Sequence, residues 1–533
     1  MSQQKKNIVY ERENLKRKDN AMEPTEKIVK RINATISTSG CNLKCEYCYL
    51  AQVKHKNYEN TKALRYPLET IFKACSKQRL GGTCIIQLIG DGETLLPSDV
   101  IPLIRGLLKE GHYVVVINNG TMTARIHELI ECTELDETID HLMFTFSLHF
   151  LELEKRKLLD IFEDNINYVK MKKVSFDISL VCSDDYIAAA DRIRDFCNQN
   201  LGGVVPSVLP ADQYDTGGNH IGMLSSYNQE IYYRNIKRAF PSFDIKYRED
   251  IENTDNHQFC YAGSWCFYVD FTTGRYSQCL RNEGPEHNFF EHLGEKLMVE
   301  PVGNRCRAPY CICGWIKTLN LIPGKSKYEG VKKYINEPKY KYLSEKMLRA
   351  CYFNLAETNK EYTEEQKNIY YEKQMREEYF ARKIELLKFD YVEKKYDQFI
   401  EAAEILLEQD LNPRLINVVW LIVRYGYALL QVGQIDKALD LASCYEDMRY
   451  SADYCYVMGL IFVNKGMIDN AVKMFTEATE RTFVIDKGAN AEWAYFNLGL
   501  IAQSTGNRKR AKEYYLKCGN YEPAKQQLVE ITN

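Results

Sequence analysis

Hydrophobic residues in roughly the first 210 positions fall into short apolar runs that are separated by longer amphipathic stretches. Runs typical of buried strands lie at 32–37, 85–89, 113–118, 141–148, 175–181 and 204–209. Helical periodicity occurs between them, at 67–78, 99–110, 122–132, 153–171 and 186–199. Strands that alternate with helices in this way predict βα units around one parallel sheet. In βα barrels the chemistry gathers at the carboxyl ends of the strands.

The pattern changes twice further along the chain, which predicts four segments. They are a charged lead-in at 1–30, the βα units at 31–215, a bridge with a cysteine-rich region at 216–338, and a helical region at 339–533. In the third segment, two strand-like runs flank a Thr-Gly turn and predict a β-hairpin over 265–271 and 275–280. The fourth segment contains no strand-like run.

The helical segment contains an internal repeat. Gly426, Gly459 and Gly499 each precede a second glycine by seven residues and an alanine by twelve. The units are spaced 33 and then 40 residues apart, with an insertion near 483–491. Small residues at these sites allow two antiparallel helices to pack closely, and the second glycine caps the first helix. A generic helical bundle is the alternative to a repeat array.

Charge and composition narrow the classes of protein. Lys and Arg number 70 and Asp and Glu 73, so the chain has no basic footprint for nucleic acid. The N-terminal residues form no apolar secretion signal, and no run of about 18 apolar residues predicts a membrane span. Eighteen cysteines in such a chain indicate metal or redox use rather than disulfides. The expected location is therefore the cytoplasm.

Three cysteines, Cys41, Cys45 and Cys48, directly follow the first strand-like run. A loop this short can bring three thiolates to one face of a [4Fe–4S] cluster, which leaves the fourth iron open to a ligand from outside the protein. A zinc site is the alternative, with His55 as the nearest fourth ligand. Structural zinc sites, however, usually close with two cysteine pairs.

The spacing Cys41-x3-Cys45-x-Tyr47-Cys48 resembles the signature of the radical S-adenosylmethionine (SAM) superfamily, which has an aromatic residue before the last cysteine. The resemblance implies a partial (βα)6 TIM-like barrel with SAM chelated at the open iron. It also implies that an electron from the cluster cleaves SAM to methionine and a 5′-deoxyadenosyl radical. An electron donor such as flavodoxin or ferredoxin is then expected.

The end of the second predicted strand resembles a second motif of that family. Gly90-Asp91-Gly92-Glu93 is similar to the Gly-Gly-Glu-Pro sequence that binds the amino group of SAM, with Asp91 and Thr94 as departures. Glycines at a strand end let the backbone approach a ligand closely. Glu93 is the first residue to which the resemblance assigns a SAM contact. An exposed Gly-Asp-Gly turn is the alternative.

Residues at the next three strand ends resemble further SAM contacts. Asn119 follows the third strand, Ser147 lies at the end of the fourth, and Val181 ends the fifth. His149 and Cys182 stand beside the last two. A substrate role for His149 and a hydrogen-atom donor role for Cys182 are open, with structural roles as the alternatives.

A second cysteine-rich region begins at residue 260. Cys260-x13-Gly274-x4-Cys279 resembles the opening of the SPASM/twitch auxiliary-cluster domains. The resemblance implies one auxiliary [4Fe–4S] cluster. The expected ligands are Cys260, Cys279, Cys306 and Cys311, with Cys313 able to replace either of the last two. A zinc ribbon is the main alternative, and the role of Cys266 is open.

The repeat resembles tetratricopeptide (TPR) repeats, which stack into a solenoid with a concave binding face. Together, the resemblances predict a radical SAM enzyme that abstracts hydrogen from a peptide or protein substrate recruited by the helical region. One alternative is a radical SAM dehydrogenase or epimerase that acts on a carbohydrate or another small molecule. An alternative of another class is a non-catalytic iron–sulfur and TPR scaffold.

Overall fold

The computed structural model describes residues 27–38, 40–52, 64–201, 203–215, 220–245, 259–279, 287–304, 341–348, 350 and 360–532. The chain divides into two compact units. One comprises residues 1–282 and 288–362, and the other comprises residues 283–287 and 363–533. No helix among the described residues is long and apolar enough to cross a bilayer.

The first unit is organised around a parallel sheet whose central strands are neighbours in chain order. They are β1 (Ile28–Ile36), β2 (Thr83–Gly90), β3 (Tyr113–Asn118), β4 (Leu142–Ser147), β5 (Ser175–Cys182) and β6 (Ser207–Pro210). Every neighbouring pair is parallel, which confirms the predicted α/β class. Within the described residues, the path of paired strands is open at both ends.

Helices connect these strands. The longer ones are Leu68–Ala74, Val100–Lys109, Thr123–Leu135, Phe150–Arg156, Leu159–Met171, Ala190–Asn200 and Gln229–Ala239, and the shorter ones are Tyr49–Gln52, Lys77–Leu80, Asp184–Ala188 and Glu345–Leu348. The helix predicted over 153–171 is two helices, because Lys157 adopts a left-handed conformation with φ 58°. Amphipathic periodicity does not reveal such a local break.

The two faces of the sheet differ in polarity. Alternate residues such as Ile32 and Ala34 pack into the apolar core beneath the helices. Between them, Arg31 and Asn33 point to the other face, where they are 3% and 2% exposed, and Arg31 donates a hydrogen bond to Gln87. Because Arg31 is polar, the apolar run in the sequence begins at residue 32, whereas β1 begins at Ile28.

The predicted hairpin is present, but it belongs to the main sheet. Its strands β10 (Cys266–Asp270) and β11 (Arg275–Ser277) pair antiparallel. β10 also pairs in parallel with β1. Phe267 and Val269 of the hairpin extend the same apolar core as β1, and the predicted Cys-rich hairpin domain stays a prediction. The remaining short strands are β7 (Asp212–Tyr214), β8 (His220–Met223), β9 (Asp244–Ile245), β12 (His287–Asn288) and β13 (Lys341–Tyr342).

Residues 363–532 of the second unit form helices and their connections. Its α-helices are Glu364–Val392, Tyr396–Leu407, Ile416–Gln431, Ile435–Leu439, Leu441–Cys444, Ala452–Asn464, Ile468–Glu480, Glu492–Ser504, Arg508–Lys517 and Glu522–Thr532. A Cβ on Gly459 would lie 2.5 Å from Phe475 and one on Gly499 2.3 Å from Tyr515, so these glycines permit close helix packing. The second glycine of each unit has φ between 78° and 81°, a left-handed conformation that ends the helix.

Candidate active site at the carboxyl ends of the strands

The three cysteines lie in the loop that leaves the carboxyl end of β1. Cys41 is exposed, Cys45 and Cys48 are partly buried, and all three are free thiols. Leu43 is 5% exposed and anchors the loop in the apolar core. Its backbone N–H lies 3.4 Å from Cys41 Sγ. The loop therefore combines a buried anchor with accessible sulfur.

The thiols are close enough to influence one another electrostatically. Burial raises the pKa of Cys45 to about 12, and the charges of Cys48 and Cys41 add to the shift. Burial likewise raises the pKa of Cys41. Within the described part of the chain, no three His, Cys, Asp or Glu side chains already surround one metal position. Binding of a metal centre would require these thiols to lose their protons.

The loop after β2 packs directly against the cysteine loop. Asp91 donates from its backbone N–H to Ile36 O at 3.0 Å, and Glu93 does the same to Gly40 O at 3.1 Å. A Cβ on Gly92 would lie 2.0 Å from Gly40 O. Glycine at position 92 is therefore needed for the two loops to touch.

The two departures from the family motif have partners in the structure. Thr38 N donates to Asp91 Oδ1 at 2.7 Å, so the carboxylate fixes the end of β1. Gly90 N donates to Thr94 Oγ1 at 2.8 Å, which closes the turn. Asp91 and Thr94 thus hold the two loops in place, where the family motif relies on Gly and Pro.

Glu93 joins the ends of β2 and β3. Its side chain is 1% exposed, and its carboxylate accepts hydrogen bonds from Leu95 N at 2.9 Å and Asn119 N at 2.8 Å. Burial raises the pKa of Glu93 to about 7, although these two bonds lower it. Because each carboxylate oxygen carries a second lone pair, Glu93 retains capacity to accept from an ammonium group.

Asn119 extends this connection to the cysteine loop. Its Nδ2 donates to Asn42 Oδ1 at 2.7 Å and lies 3.9 Å from Cys41 Sγ. The bond to Asn119 lowers the pKa of Cys41, against the larger effect of burial. Asn42 also donates to Thr121 Oγ1 at 2.8 Å. Sequence reasoning missed Asn42, whose only signal is its position inside the cysteine motif.

The end of β4 contacts the other side of the cysteine loop. Ser147 is partly buried and pairs in register with Ser179 of β5. His149 Nδ1 is hydrogen-bonded to the hydroxyl of Tyr47. Burial lowers the pKa of His149 to about 4, so the imidazole is neutral at pH 7. His149 therefore positions the aromatic residue of the cysteine motif, in keeping with its structural alternative.

Two residues of the helix after β4 also hold the cysteine loop. Glu152 accepts from Lys44 N at 2.9 Å and from Arg156 Nε at 2.5 Å. Arg156 Nη1 donates in turn to Asn42 O at 3.0 Å. Sequence reasoning missed both residues, because their spacing of four in a helix is common on any solvated face.

The end of β5 and the helix Asp184–Ala188 complete the surroundings of the motif. Val181 is partly buried, whereas Cys182 is fully buried and its pKa is raised to about 12 by burial. These properties favour a structural role for Cys182. Further along, Tyr186 packs edge-on against Tyr47, with 5.3 Å between the ring centroids.

A cavity of about 530 Å³ opens beside Cys45 and Tyr47. Its walls come from the helix after β4, the start of the helix after β5, and residues 213 and 224–226. This volume lies within the range of small-molecule sites. Gly90–Glu93 are not among its walls, so the cavity adjoins the cysteine loop from the β4 and β5 side.

The second cysteine-rich region is only partly described. Cys260 is 7% exposed and its backbone exchanges two hydrogen bonds of 2.9 Å with Gly303. Cys279 follows Gln278, whose Nε2 donates to Glu300 O at 2.9 Å. The chain at 300–303 therefore runs beside both Cys260 and the residue before Cys279. The other expected ligands, Cys306, Cys311 and Cys313, lie outside the described residues.

Comparison with protein families adds an independent observation. The Radical SAM superfamily profile matches residues 35–181, from the end of β1 to β5. The chain contains a radical SAM domain. A tetratricopeptide repeat profile matches residues 452–483 and 494–526, which confirms the predicted repeat. The unit around Gly426 lies outside these two matches, although its helices follow the same pattern.

The radical SAM domain also has a curated relative. The protein named "Putative glycyl-radical enzyme activating enzyme" of Methanocaldococcus jannaschii is 25% identical over 153 residues. The match covers 28% of this chain and 55% of the relative. The chain thus spans about half the length of the curated relative that it matches.

Solved structures resemble parts of the chain. SuiB of Streptococcus suis bound to S-adenosylmethionine is 14% identical, with 50% of this chain and 65% of that chain covered and a TM-score of 0.37. MamA of Desulfovibrio magneticus RS-1 is 16% identical, with 28% and 74% covered and a TM-score of 0.22. Neither likeness carries a functional conclusion.

Proposed function

We propose that this chain is a radical SAM enzyme that reductively cleaves S-adenosylmethionine at a [4Fe–4S] cluster and abstracts hydrogen from a peptide or protein substrate. The proposal rests on the contact between the loops that follow β1 and β2. Three free thiols stand in one loop, and the Gly90–Glu93 loop is hydrogen-bonded directly to it. The matched family profile covers both loops.

The donor set fits the cluster. Cys41, Cys45 and Cys48 supply three thiolates, which leaves one iron for a ligand from outside the protein. The cluster with SAM would supply a 5′-deoxyadenosyl radical, which abstracts hydrogen from unreactive C–H bonds. The protein then has to bind and orient the reactants and exclude water from them.

Residues at the other strand ends would do this binding. Glu93 accepts two backbone N–H groups and would accept a third bond from the ammonium group of SAM. Asn119, Ser147 and Val181 end or follow the next strands and would contact the rest of the cofactor. Asp91 would act by holding the cysteine loop, through its bond from Thr38 N.

The second cysteine region would hold an auxiliary [4Fe–4S] cluster. Its support is the position of Gly303 beside Cys260, because Cys306 follows only three residues later in the chain. Such a cluster can accept an electron from a product radical or bind the substrate. A zinc ribbon built from the same cysteines is the alternative.

A peptide or protein substrate agrees with two features. TPR repeats most often bind extended peptides or partner proteins. The curated relative is named as an enzyme that activates another enzyme, which is a protein substrate. A flavodoxin or ferredoxin would supply the electron, and the reducing cytoplasm would keep the clusters intact. Dehydrogenation or epimerisation of a small molecule remains the second candidate, since the cavity beside Cys45 has a volume suited to such a ligand.

Anaerobic reconstitution with iron and sulfide, followed by reduction in the presence of SAM, tests the proposal. We expect the wild type to release 5′-deoxyadenosine and Cys45→Ala to release none. Cys444→Ala is the matched control, because this exposed thiol lies in the helical unit, and it should behave as the wild type. A reconstituted wild type that releases no 5′-deoxyadenosine would favour the scaffold alternative.

A further inference from the structure

The repeat array contains one irregular connection. The first two units are spaced 33 residues apart, from Gly426 to Gly459, but Gly499 follows only after 40. The extra residues lie between the helices Ile468–Glu480 and Glu492–Ser504. Residues 481–491 form this connection, which contains no helix or named strand.

The inserted segment turns back onto the preceding unit. Phe483 O accepts from Ala452 N at 2.9 Å. Ile485 N and Asp486 N donate to the two carboxylate oxygens of Asp453 at 2.7 and 2.8 Å. Asp453 is only 1% exposed and belongs to the first helix of the second unit. The backbone of 483–486 is therefore held by hydrogen bonds in a buried setting.

The side chain of Asp486 contacts the first repeat unit. Its two oxygens accept from Arg424 Nη1 and Nη2 at 2.6 and 2.7 Å. The Arg424 side chain is 15% exposed. Its guanidinium carbon lies 5.5 to 5.8 Å from the ring centroids of Tyr391, Trp420 and Tyr427. The Arg424 guanidinium, which lies near three aromatic rings, thus binds the Asp486 carboxylate through two hydrogen bonds.

This arrangement has the form of peptide recognition. Proteins read a bound segment through its main-chain groups and through selected side chains, and a bidentate guanidinium selects a carboxylate. The segment presents both, since Asp486 is flanked by the half-buried Ile485 and Phe483. Its polar bonds are ones that another peptide can reproduce, and Phe483 and Ile485 are only partly buried where they pack against the apolar core of the repeats.

We propose that residues 483–486 are a self-ligand that occupies a peptide site on the first helices of the first two repeat units. The partner that replaces them is a peptide segment with a carboxylate next to apolar residues, and Arg424 binds that carboxylate. The inference rests on the proposed recruitment of a peptide by the helical unit. It does not rest on the radical chemistry, which needs the cysteine loop of the other unit.

The test removes most of the self-ligand within the 533-residue chain. Deletion of residues 484–490 restores the 33-residue spacing and removes residues 484–486 of the self-ligand, including Asp486. The probe is a fluorescein-labelled synthetic peptide with the sequence of residues 481–491, and its binding is measured by fluorescence anisotropy. Because a tethered segment competes at a high effective concentration, the deletion variant should bind the probe at least about tenfold more tightly than the wild type.

Two matched comparisons identify the contact. A probe that carries Asp486→Asn should bind the deletion variant at least about tenfold more weakly than the acidic probe. Arg424→Gln in the deletion variant should weaken binding equally. Lys465→Gln is the control, since Lys465 forms an exposed ion pair with Asp436 elsewhere in the repeats, and it should change nothing.

A second variant covers the case in which the deletion disturbs folding, as judged by circular dichroism. The point variant Asp486→Asn keeps the whole connection and should bind the acidic probe at least about fivefold more tightly than the wild type. Three outcomes would overturn the inference. They are equal binding of the acidic and amide probes, equal binding of the acidic probe by the wild type and the variants, and no binding by a folded variant. Release of 5′-deoxyadenosine by the same preparation reports separately on the proposed function.

Discussion

The two cysteine-rich regions of the chain are built in different ways. At the first, Cys41 is exposed and the loop is held from outside, by Asn119 after β3 and by Glu152 after β4. At the second, Cys260 is 7% exposed and its own backbone pairs with Gly303. Cys41 is thus open to a ligand, whereas Cys260 is enclosed and Cys279 of the same region is partly buried. The proposed roles differ accordingly, with a cofactor from outside the protein at the first region and an auxiliary cluster at the second.

The largest expected effect separates the two regions by iron content. If both hold [4Fe–4S] clusters, the reconstituted wild type carries about eight irons, and replacing Cys41, Cys45 and Cys48 by Ala leaves about four. The same variant should lose all SAM cleavage. Cys260→Ala should also leave about four irons but retain SAM cleavage. Iron and sulfide analysis with a 5′-deoxyadenosine assay measures both, and zinc in place of the second set of irons would contradict the auxiliary cluster.

The next effect concerns the contact between the β1 and β2 loops. Gly92→Ala would place a Cβ 2.0 Å from Gly40 O and force the loops apart. Because small displacements of reacting groups are costly, we expect SAM cleavage to fall by about a hundredfold. Gly294→Ala is the control, since no atom lies within 4 Å of its added Cβ. A Gly92→Ala enzyme within twofold of the wild type would show that the contact does not serve the site.

A pH effect follows from Glu93. Its pKa in the folded chain is raised from 4.5 to about 7 by burial, so the native state binds more protons than the unfolded state between these values. The free energy of unfolding should therefore fall as pH rises through this interval, by up to about 3 kcal/mol. Urea denaturation of the cluster-free protein at several pH values measures the slope.

The matched variants for this slope are Glu93→Gln and Glu131→Gln. The first removes the titrating group and should lack this part of the decline. The second alters an exposed carboxylate in the helix Thr123–Leu135 and should keep it. Identical slopes for all three proteins would mean that Glu93 does not titrate in this interval.

The smallest effect concerns the turn that closes the β2 loop. Thr94→Val removes the acceptor of the Gly90 N–H bond, and we expect a loss of about 1 kcal/mol in the free energy of unfolding. Thr505→Val, at an exposed helix end, should cost less. Chemical denaturation at pH 7 compares the two. An unchanged Thr94→Val protein would mean that water replaces the lost acceptor.

Much of this architecture is predictable from the sequence, because apolar runs mark strands that are buried on both sides. β3 over Tyr113–Asn118 coincides with its prediction. Parallel strands bring their carboxyl ends to one edge, so Cys41, Glu93 and Asn119 were expected to lie together, as they do. The start of β1 could not be predicted, because Arg31 is a charged residue that is nevertheless buried in the strand.

The parts that could not be predicted depend on contacts distant in sequence. Glu152 holds the backbone of Lys44 across more than a hundred residues, and nothing in its local sequence marks it. Likewise, the insertion near 483–491 is visible as a change of spacing, but the bond that Asp486 accepts from Arg424 is not. The expected ligands Cys306, Cys311 and Cys313 remain predictions.

The central claim is that three thiols hold a cluster with one iron open to SAM, and electron paramagnetic resonance tests it most directly. The sample is the reduced, reconstituted Cys260→Ala variant, in which only the first cluster should remain. Addition of SAM should shift the g values of its [4Fe–4S]⁺ signal, because the cofactor binds the open iron. A spectrum that SAM leaves unchanged, or a preparation that holds zinc and gives no signal, would contradict the account.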